Sequence, residues 1–339
     1  MPLACISDEI LRQYFPLKKV LAGFFEILHR LYGIKIEELQ NNEVWHKDAR
    51  FFVILSDNNE AIGYCYLDLF ARDKKRGGAW MDECKVRKKL LASSETQLPI
   101  AYLTCNFTPP DKDGLALLTH DEVITLFHEF GHCLHHLLTD VDYPSISGIH
   151  GVPWDGVEFP SQFLENWCWQ KESLALISEH YKSGESLPDE LLDKMLAAKN
   201  FQQAMAIVRQ LEFALFDFLL HENFDESAGI EQIQEVLNKV RSEVAVVPQV
   251  PYNRFAHSFS HIFAGGYAAG YYSYLWAEVL ASDAFAKFEE EGIFNHRLAL
   301  KFWHSILAPG GSRDFLELFI EFRGRAPQIE ALLKDRGIN

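Results

Sequence analysis

A chain of 339 residues, 48% of them hydrophobic, can bury one large core or two smaller ones. Its formal net charge of −16, with nothing that makes a basic patch, argues against nucleic acid as a partner and predicts a solvated acidic surface. No apolar run approaches the ~18 residues needed to span a bilayer, and six cysteines (5, 65, 84, 105, 133 and 168) lie scattered without a CxxC pair, which predicts free thiols in a soluble, cytoplasmic protein with no membrane partner.

Leu3-Ala4-Cys5 hints at a lipoprotein cleavage site, but no basic-then-apolar run precedes it. Residues 8–39 then read as helix, with Phe15, Val20, Phe24, Leu28 and Leu31 as the apolar set. Residues 49–55 and 61–69 are short, aromatic-rich apolar runs joined by Ser56-Asp57-Asn58-Asn59-Glu60, which is a hairpin signal. After a basic loop at 85–89, residues 100–107 read as a third strand. From Thr119 onward the pattern is helical, with breaks at 183–188, 222–229, 247–253 and 309–312. The expected class is α+β and predominantly helical: a small sheet at about 49–107 beside a helical body at about 119–339.

The helical body opens on its most informative stretch. Thr119 and Glu122 have capping-box spacing, and Val123, Phe127, Phe130, Leu134, Leu137 and Leu138 follow at helical intervals. Within that helix lies His128-Glu129-Phe130-Gly131-His132, a HEXXH motif. Residues four apart share nearly one side of a helix, so the two imidazoles can grip one divalent ion such as Zn²⁺. Glu129, about 100° round from His128, can reach a water at the metal without occupying a coordination position. A buried helix with merely structural histidines leaves that placement of Glu129 unexplained. Gly131 in mid-helix costs about 1 kcal/mol against Ala, which predicts close approach of another element.

A catalytic zinc takes three protein ligands and keeps one position open. His136 lies roughly 12 Å along the axis from His128, too far to share the ion. His135 and Leu138 also stand where the metzincin pattern requires Gly and His. The third ligand must therefore come later, with His150, Asp155, Glu158 and Glu165 as candidates. Residues 148–156 read as a Gly/Pro-punctuated loop, and a second helix begins near Val157, with Pro160 tolerated in its first turn. Glu165, two turns after Glu158 on a similar face, is the candidate carboxylate partner for a ligand histidine. Farther on, Tyr267, Tyr271 and Tyr274 fall at i, i+4, i+7 if a helix begins near Gly266; such a stripe by itself reads as packing.

The HEXXH stretch together with Val157-Glu158-Phe159-Pro160-Ser161-Gln162-Phe163-Leu164-Glu165-Asn166-Trp167 resembles the thimet oligopeptidase family of zinc metallopeptidases. Residues 66–72 and 75–80 resemble that family's strand and following loop, and residues 261–276 its glycine-rich, tyrosine-bearing loop. The resemblance covers the chain from about Ser7 onward, yet matches only the C-terminal half of the usual family length. Residues 1–339 are thus expected to be a catalytic region without the N-terminal half.

The resemblance implies a zincin-like catalytic region, one Zn²⁺ per chain on His128, His132 and Glu158, and Glu129 as general base. It implies substrate and oxyanion contacts from Tyr267 and Tyr274, and a supporting role for His261, which matches the histidine upstream of the glycines. Tyr271 and Tyr272 stay assigned to packing. It further implies that a sheet edge beside the metal pairs with extended peptide, and that Gly265, Gly266 and Gly270 let the loop close over it. The expected activity is hydrolysis of internal bonds in short peptides. The alternatives are a dipeptidyl carboxypeptidase of the same family and, from another class, an inactive peptide-binding fragment. Expected partners are short peptides and the missing N-terminal half.

Overall fold

Gly33 ends the first long helix earlier than its apolar pattern suggests. In the computed structural model, which describes residues 7–338 apart from 41, 91, 93, 94 and 251, helix α1 (Asp8–Leu11) leads into α2 (Leu17–Tyr32). Gly33 then takes the left-handed conformation (φ +72°) and returns its N–H to His29 O, a C-terminal stop that glycine adopts without a Cβ penalty. The chain therefore re-emerges as a strand, β1 (Lys35–Glu38), and the sheet begins at residue 35 rather than near 49. The remaining strands are β2 (Arg50–Leu55), β3 (Ala61–Phe70), β4 (Trp80–Lys85), the two-residue pair β5 (Lys88–Lys89) and β6 (Thr96–Gln97), and β7 (Ile100–Phe107). The hairpin expected between 49 and 69 is present as antiparallel β2–β3.

The main sheet has the order β1-β2-β3-β7-β4. Only β3 and β7 run parallel; the other neighbours are antiparallel, which leaves β1 and β4 as edges. Leu67 of β3 and Leu103 and Cys105 of β7 point to one buried face. Against that face packs α3 (His120–Leu137), capped as its sequence predicts. Thr119 Oγ1 accepts from Glu122 N at 3.1 Å, and Glu122 Oε2 accepts from Thr119 N at 2.8 Å. Phe127 and Phe130 of α3 meet Phe24 of α2 with ring centroids 4.2 and 5.0 Å apart, contacts worth about 0.5–1.5 kcal/mol each beyond burial.

Helices α4 (Trp154–Val157), α5 (Phe159–Glu165), α6 (Lys171–Ile177), α7 (Asp189–Lys199), α8 (Gln203–Asn223), α9 (Glu231–Val244), α10 (Phe255–Ser258), α11 (Ser260–Phe263), α12 (Ser273–Glu291), α13 (His296–Phe302), α14 (Phe315–Arg323) and α15 (Glu330–Asp335) follow. Phe216 and Leu220 of α8 and Leu237 of α9 form a second, smaller apolar cluster with Phe259, Ile262 and Tyr271. The described cysteines are all free thiols; Cys5 lies outside the described residues. Among the described residues no helix is long and apolar enough to cross a membrane.

The close approach expected at Gly131 is to α5. A Cβ there would lie 2.5 Å from Ser161 Cα and 2.6 Å from Pro160 O, and neither atom can move without its backbone. Gly131→Ala is therefore expected to lower stability by about 1–3 kcal/mol through overpacking and to displace the first turn of α5. Thermal unfolding measures the first effect and zinc content the second. An unchanged melting temperature overturns the contact.

Candidate metal centre and its cleft

Helices α3 and α5, held backbone to backbone at Gly131, bring His128, His132 and Glu158 together. One ligand atom from each lies within 4.8 Å of the others. Glu158 sits at the joint of α4 and α5 and is 1% exposed, with its Oε2 3.3 Å from His128 Nε2 and 3.2 Å from His132 Nε2. Ser161 Oγ donates to Glu158 O at 2.8 Å and lies 3.2 Å from Oε2. Tyr267 Oη donates to the other oxygen, Oε1. Ser161 carries no signal in the sequence beyond its spacing, i+3 from Glu158 at a helix start.

The donor set fits a divalent cation. His128 Nδ1 lies 2.6 Å from Glu165 Oε1, the partnership anticipated for Glu165. A proton on Nδ1 turns the Nε2 lone pair toward Glu158, and a lone pair facing a carboxylate oxygen needs a proton or a metal ion between them. Without metal, burial favours neutral His128, but the Glu158 and Glu165 carboxylates outweigh it and raise its pKa well above the usual value. Burial likewise opposes ionisation of Glu158, while the His132 and His128 imidazoles hold its carboxyl well below the ordinary range. The buried anion has imidazoles as its salt-bridge partners, neither of which is a permanent cation.

Glu129 is 6% exposed and points the same way. Burial raises its pKa most; His128 and His132 pull it down, Glu158 pushes it up, and a hydrogen bond from the Met81 backbone lowers it. That last contact puts edge strand β4 beside Glu129. A carboxyl with a raised pKa next to the donor cluster suits proton transfer near neutral pH.

On the other side, Tyr267 and Tyr274 stack with ring centroids 5.1 Å apart. Burial first, and then the Glu158 charge, raise both phenols above the usual range, so both stay protonated donors. Helix α12, however, begins at Ser273, not near Gly266; residues 267–272 are turns, so the tyrosines do not form a helical stripe. Gln162 Nε2 donates to Tyr274 O at 3.0 Å and ties that turn to α5. Tyr271 is buried, as expected of packing, with its hydroxyl on Gln210 Oε1 at 3.2 Å. Tyr272 is not packed: it is exposed and donates to Asp155 Oδ1.

His261 is exposed at the mouth, its ring 6.2 Å from Tyr267 and 6.1 Å from Tyr274. Desolvation lowers its pKa, Glu158 raises it and Arg76 lowers it again. Two other candidate ligands are engaged elsewhere, His150 with Glu83 of β4 and Asp155 with Tyr272.

His135 and His136 face away into the core. His135 is 1% exposed, and neither of its ring nitrogens has a hydrogen-bond partner. Burial, with smaller contributions from His132 and His136, pushes its pKa down to about 3. The unfolded chain binds this proton near pH 6.5 and the folded chain does not. His135 thus stabilises the fold above pH 6.5, and that stability is lost as pH falls from about 6.5 toward 3, at up to about 1.4 kcal/mol per unit. Denaturant melts from pH 7 to pH 4 should show a shallower decline in a His135→Leu chain. Parallel declines overturn the assignment.

Residues 3–338 match the model of Peptidase family M3. Oligopeptidase A of Escherichia coli (strain K12) is 59% identical over 336 residues, which are 99% of this chain and 49% of that protein. A dipeptidyl carboxypeptidase of the same organism is 39% identical over 336 residues, covering 98% of this chain and 48% of its own length. The chain thus spans about half the length of the curated relatives it matches. Among solved structures, an M32 carboxypeptidase from Deinococcus radiodurans R1 superposes with a TM-score of 0.57 at 15% identity, covering 98% of this chain and 61% of that one, a likeness of fold.

Proposed function

This chain belongs to Peptidase family M3, and on that premise we propose that it carries the catalytic centre of a zinc endopeptidase acting on internal bonds of short peptides. The observation that carries the proposal is the cluster of His128, His132 and Glu158 with Glu129 beside it and the Tyr267–Tyr274 pair opposite. His128, His132 and Glu158 would hold one Zn²⁺, fixed by Glu165 on one imidazole and by Ser161 and Tyr267 on the carboxylate.

Bound zinc supplies Lewis acidity toward the attacking water and the scissile carbonyl. Glu129 takes the proton from that water and returns it to the leaving amine. Tyr274 donates to the oxyanion that develops on the carbonyl, and Tyr267, whose hydroxyl donates to Glu158, stacks against it. His261 stands at the mouth, within reach of substrate rather than of the metal. Edge strand β4, with Met81 next to Glu129, is the strand that would pair with an extended peptide.

The relatives are twice as long, and Trp154, Phe263, Tyr272 and Trp276, on the elements around the cleft, are 37–48% exposed. We read this as a surface that an N-terminal half covers, so that the half-length chain turns peptides over slowly until that half is added. The free thiols agree with a reducing, cytoplasmic setting.

The test is product analysis of an internally quenched peptide with and without a zinc chelator, with and without the separately expressed N-terminal half. Chelator-sensitive cleavage at internal bonds supports the reading. Release of C-terminal dipeptides alone favours a dipeptidyl carboxypeptidase. Peptide binding with no turnover in any mixture overturns enzymatic function.

A further inference from the structure

The turns that carry Tyr267 toward Tyr274 close largely on themselves. Tyr267 N reaches His261 O at 3.0 Å, Gly270 N reaches Tyr267 O at 2.8 Å, and Ser273 N reaches Gly270 O at 3.1 Å. Most of the segment is exposed, and Ala269 holds φ +55°, the left-handed region disfavoured by a side chain with a Cβ. Short surface turns with an unfavourable residue do not keep one shape unless something outside them over-determines it.

Among the outside groups that hold this segment, the one that takes the backbone N–H groups of the turn is Asp217 of α8. Its Oδ1 accepts from Ala269 N at 2.9 Å and its Oδ2 from Tyr271 N at 2.9 Å. The side chain is 1% exposed, and His221, one turn later, places Nδ1 2.8 Å from Oδ1. Hydrogen bonds from amides to a desolvated carboxylate are stronger than neutral ones. The two amides flank Gly270, in the middle of the turn, so fixing them fixes the path of the chain on both sides. Upstream by two residues is Tyr267, and downstream by three is Tyr274.

We propose that Asp217 is a positioning residue for the reaction: its carboxylate clamps the turn at Ala269–Tyr271 and so sets the Tyr267 and Tyr274 hydroxyls against Glu158. This rests on reading the cleft as a peptidase site. Gln162 pins the far end of the same segment through Tyr274 O. When the Asp217 clamp is lost, Ala269 is free to return to negative φ, and both phenols swing from their places.

Asp217→Asn tests this at constant shape, because one of its two acceptors becomes an N–H₂ facing an N–H. Hydrogen exchange at amides 269 and 271 should accelerate, a readout that needs no turnover. With a quenched peptide, kcat should fall by about 10- to 100-fold at unchanged zinc content, as misplaced catalytic groups do. In the Tyr267→Phe/Tyr274→Phe background the same replacement should cost little more, because the groups it positions are gone. Ala269→Gly should restore part of the activity of Asp217→Asn, since glycine takes that backbone conformation without strain.

Unchanged exchange at 269 and 271 overturns the clamp itself. Faster exchange with unaltered kcat, or a full loss repeated in the double phenylalanine background, reduces Asp217 to a structural role. Failure of the unaltered chain, with its partner half, to cleave any peptide overturns the peptidase reading and this assignment with it.

Discussion

Glu129→Gln should leave zinc content intact and lower kcat by about 10²–10⁴. The side chain is nearly fully buried beside the metal cluster but does not belong to it: His128, His132 and Glu158 are the atoms that converge. Gln preserves the shape of Glu and the contact with the Met81 backbone through its carbonyl, while it can no longer accept a proton. KM should change little, because the loss falls on a step that exists only in the transition state. Zinc by elemental analysis and initial rates on a quenched peptide decide it together. Loss of zinc from this variant would move Glu129 into the ligand set.

Glu158→Gln should behave oppositely and lose zinc, with affinity reduced by more than the ~10²-fold typical of groups that only support a ligand. The Glu158 carboxylate is the one charged donor among the three, and it lies 1% exposed between two imidazoles, a serine hydroxyl and a tyrosine hydroxyl. A neutral amide there brings no charge to meet the ion and turns an N–H₂ toward one of these neighbours. Competition with a chromogenic chelator measures the affinity. Equal zinc retention in the Glu158 and Glu129 variants would mean that base and ligand have been exchanged.

What could be read before any coordinates was whatever depends on short-range spacing. The capping box at Thr119, the helix bearing His128 and His132 and the close approach at Gly131 are of that kind. The residues alone could not choose among His150, Asp155, Glu158 and Glu165; only the family resemblance could. The reason is visible in the partners: His150 is taken by Glu83, and Asp155 by Tyr272 across 117 residues of chain. Tyr267, Tyr271 and Tyr274 have the periodicity of a helix but are laid out by turns. Their backbone is dictated from 52 and 54 residues away by Asp217, which local propensity does not register. Strand β4 escaped for the converse reason. Trp80-Met81-Asp82-Glu83-Cys84-Lys85 lacks a clean apolar alternation: Asp82, Glu83 and Lys85 are exposed, and among the described residues one long side of the strand pairs with no other.

That open side also bears on how the molecule behaves in a crowd. A free strand edge offers the same ladder of amides and carbonyls to a second copy as to a substrate, and long apolar edges are sites of aggregation. Here the edge is six residues long and carries Asp82, Glu83 and Lys85, while the opposite edge, β1, is four residues carrying Lys35, Glu37 and Glu38. Two copies meeting β4 to β4 in antiparallel fashion with Asp82 opposite Glu83 would set acidic side chains against one another, whereas a short peptide with small or basic side chains meets no such repulsion. On the proposed reading, the charges that obscured β4 in the sequence would leave its open side to a guest strand while discouraging its own kind.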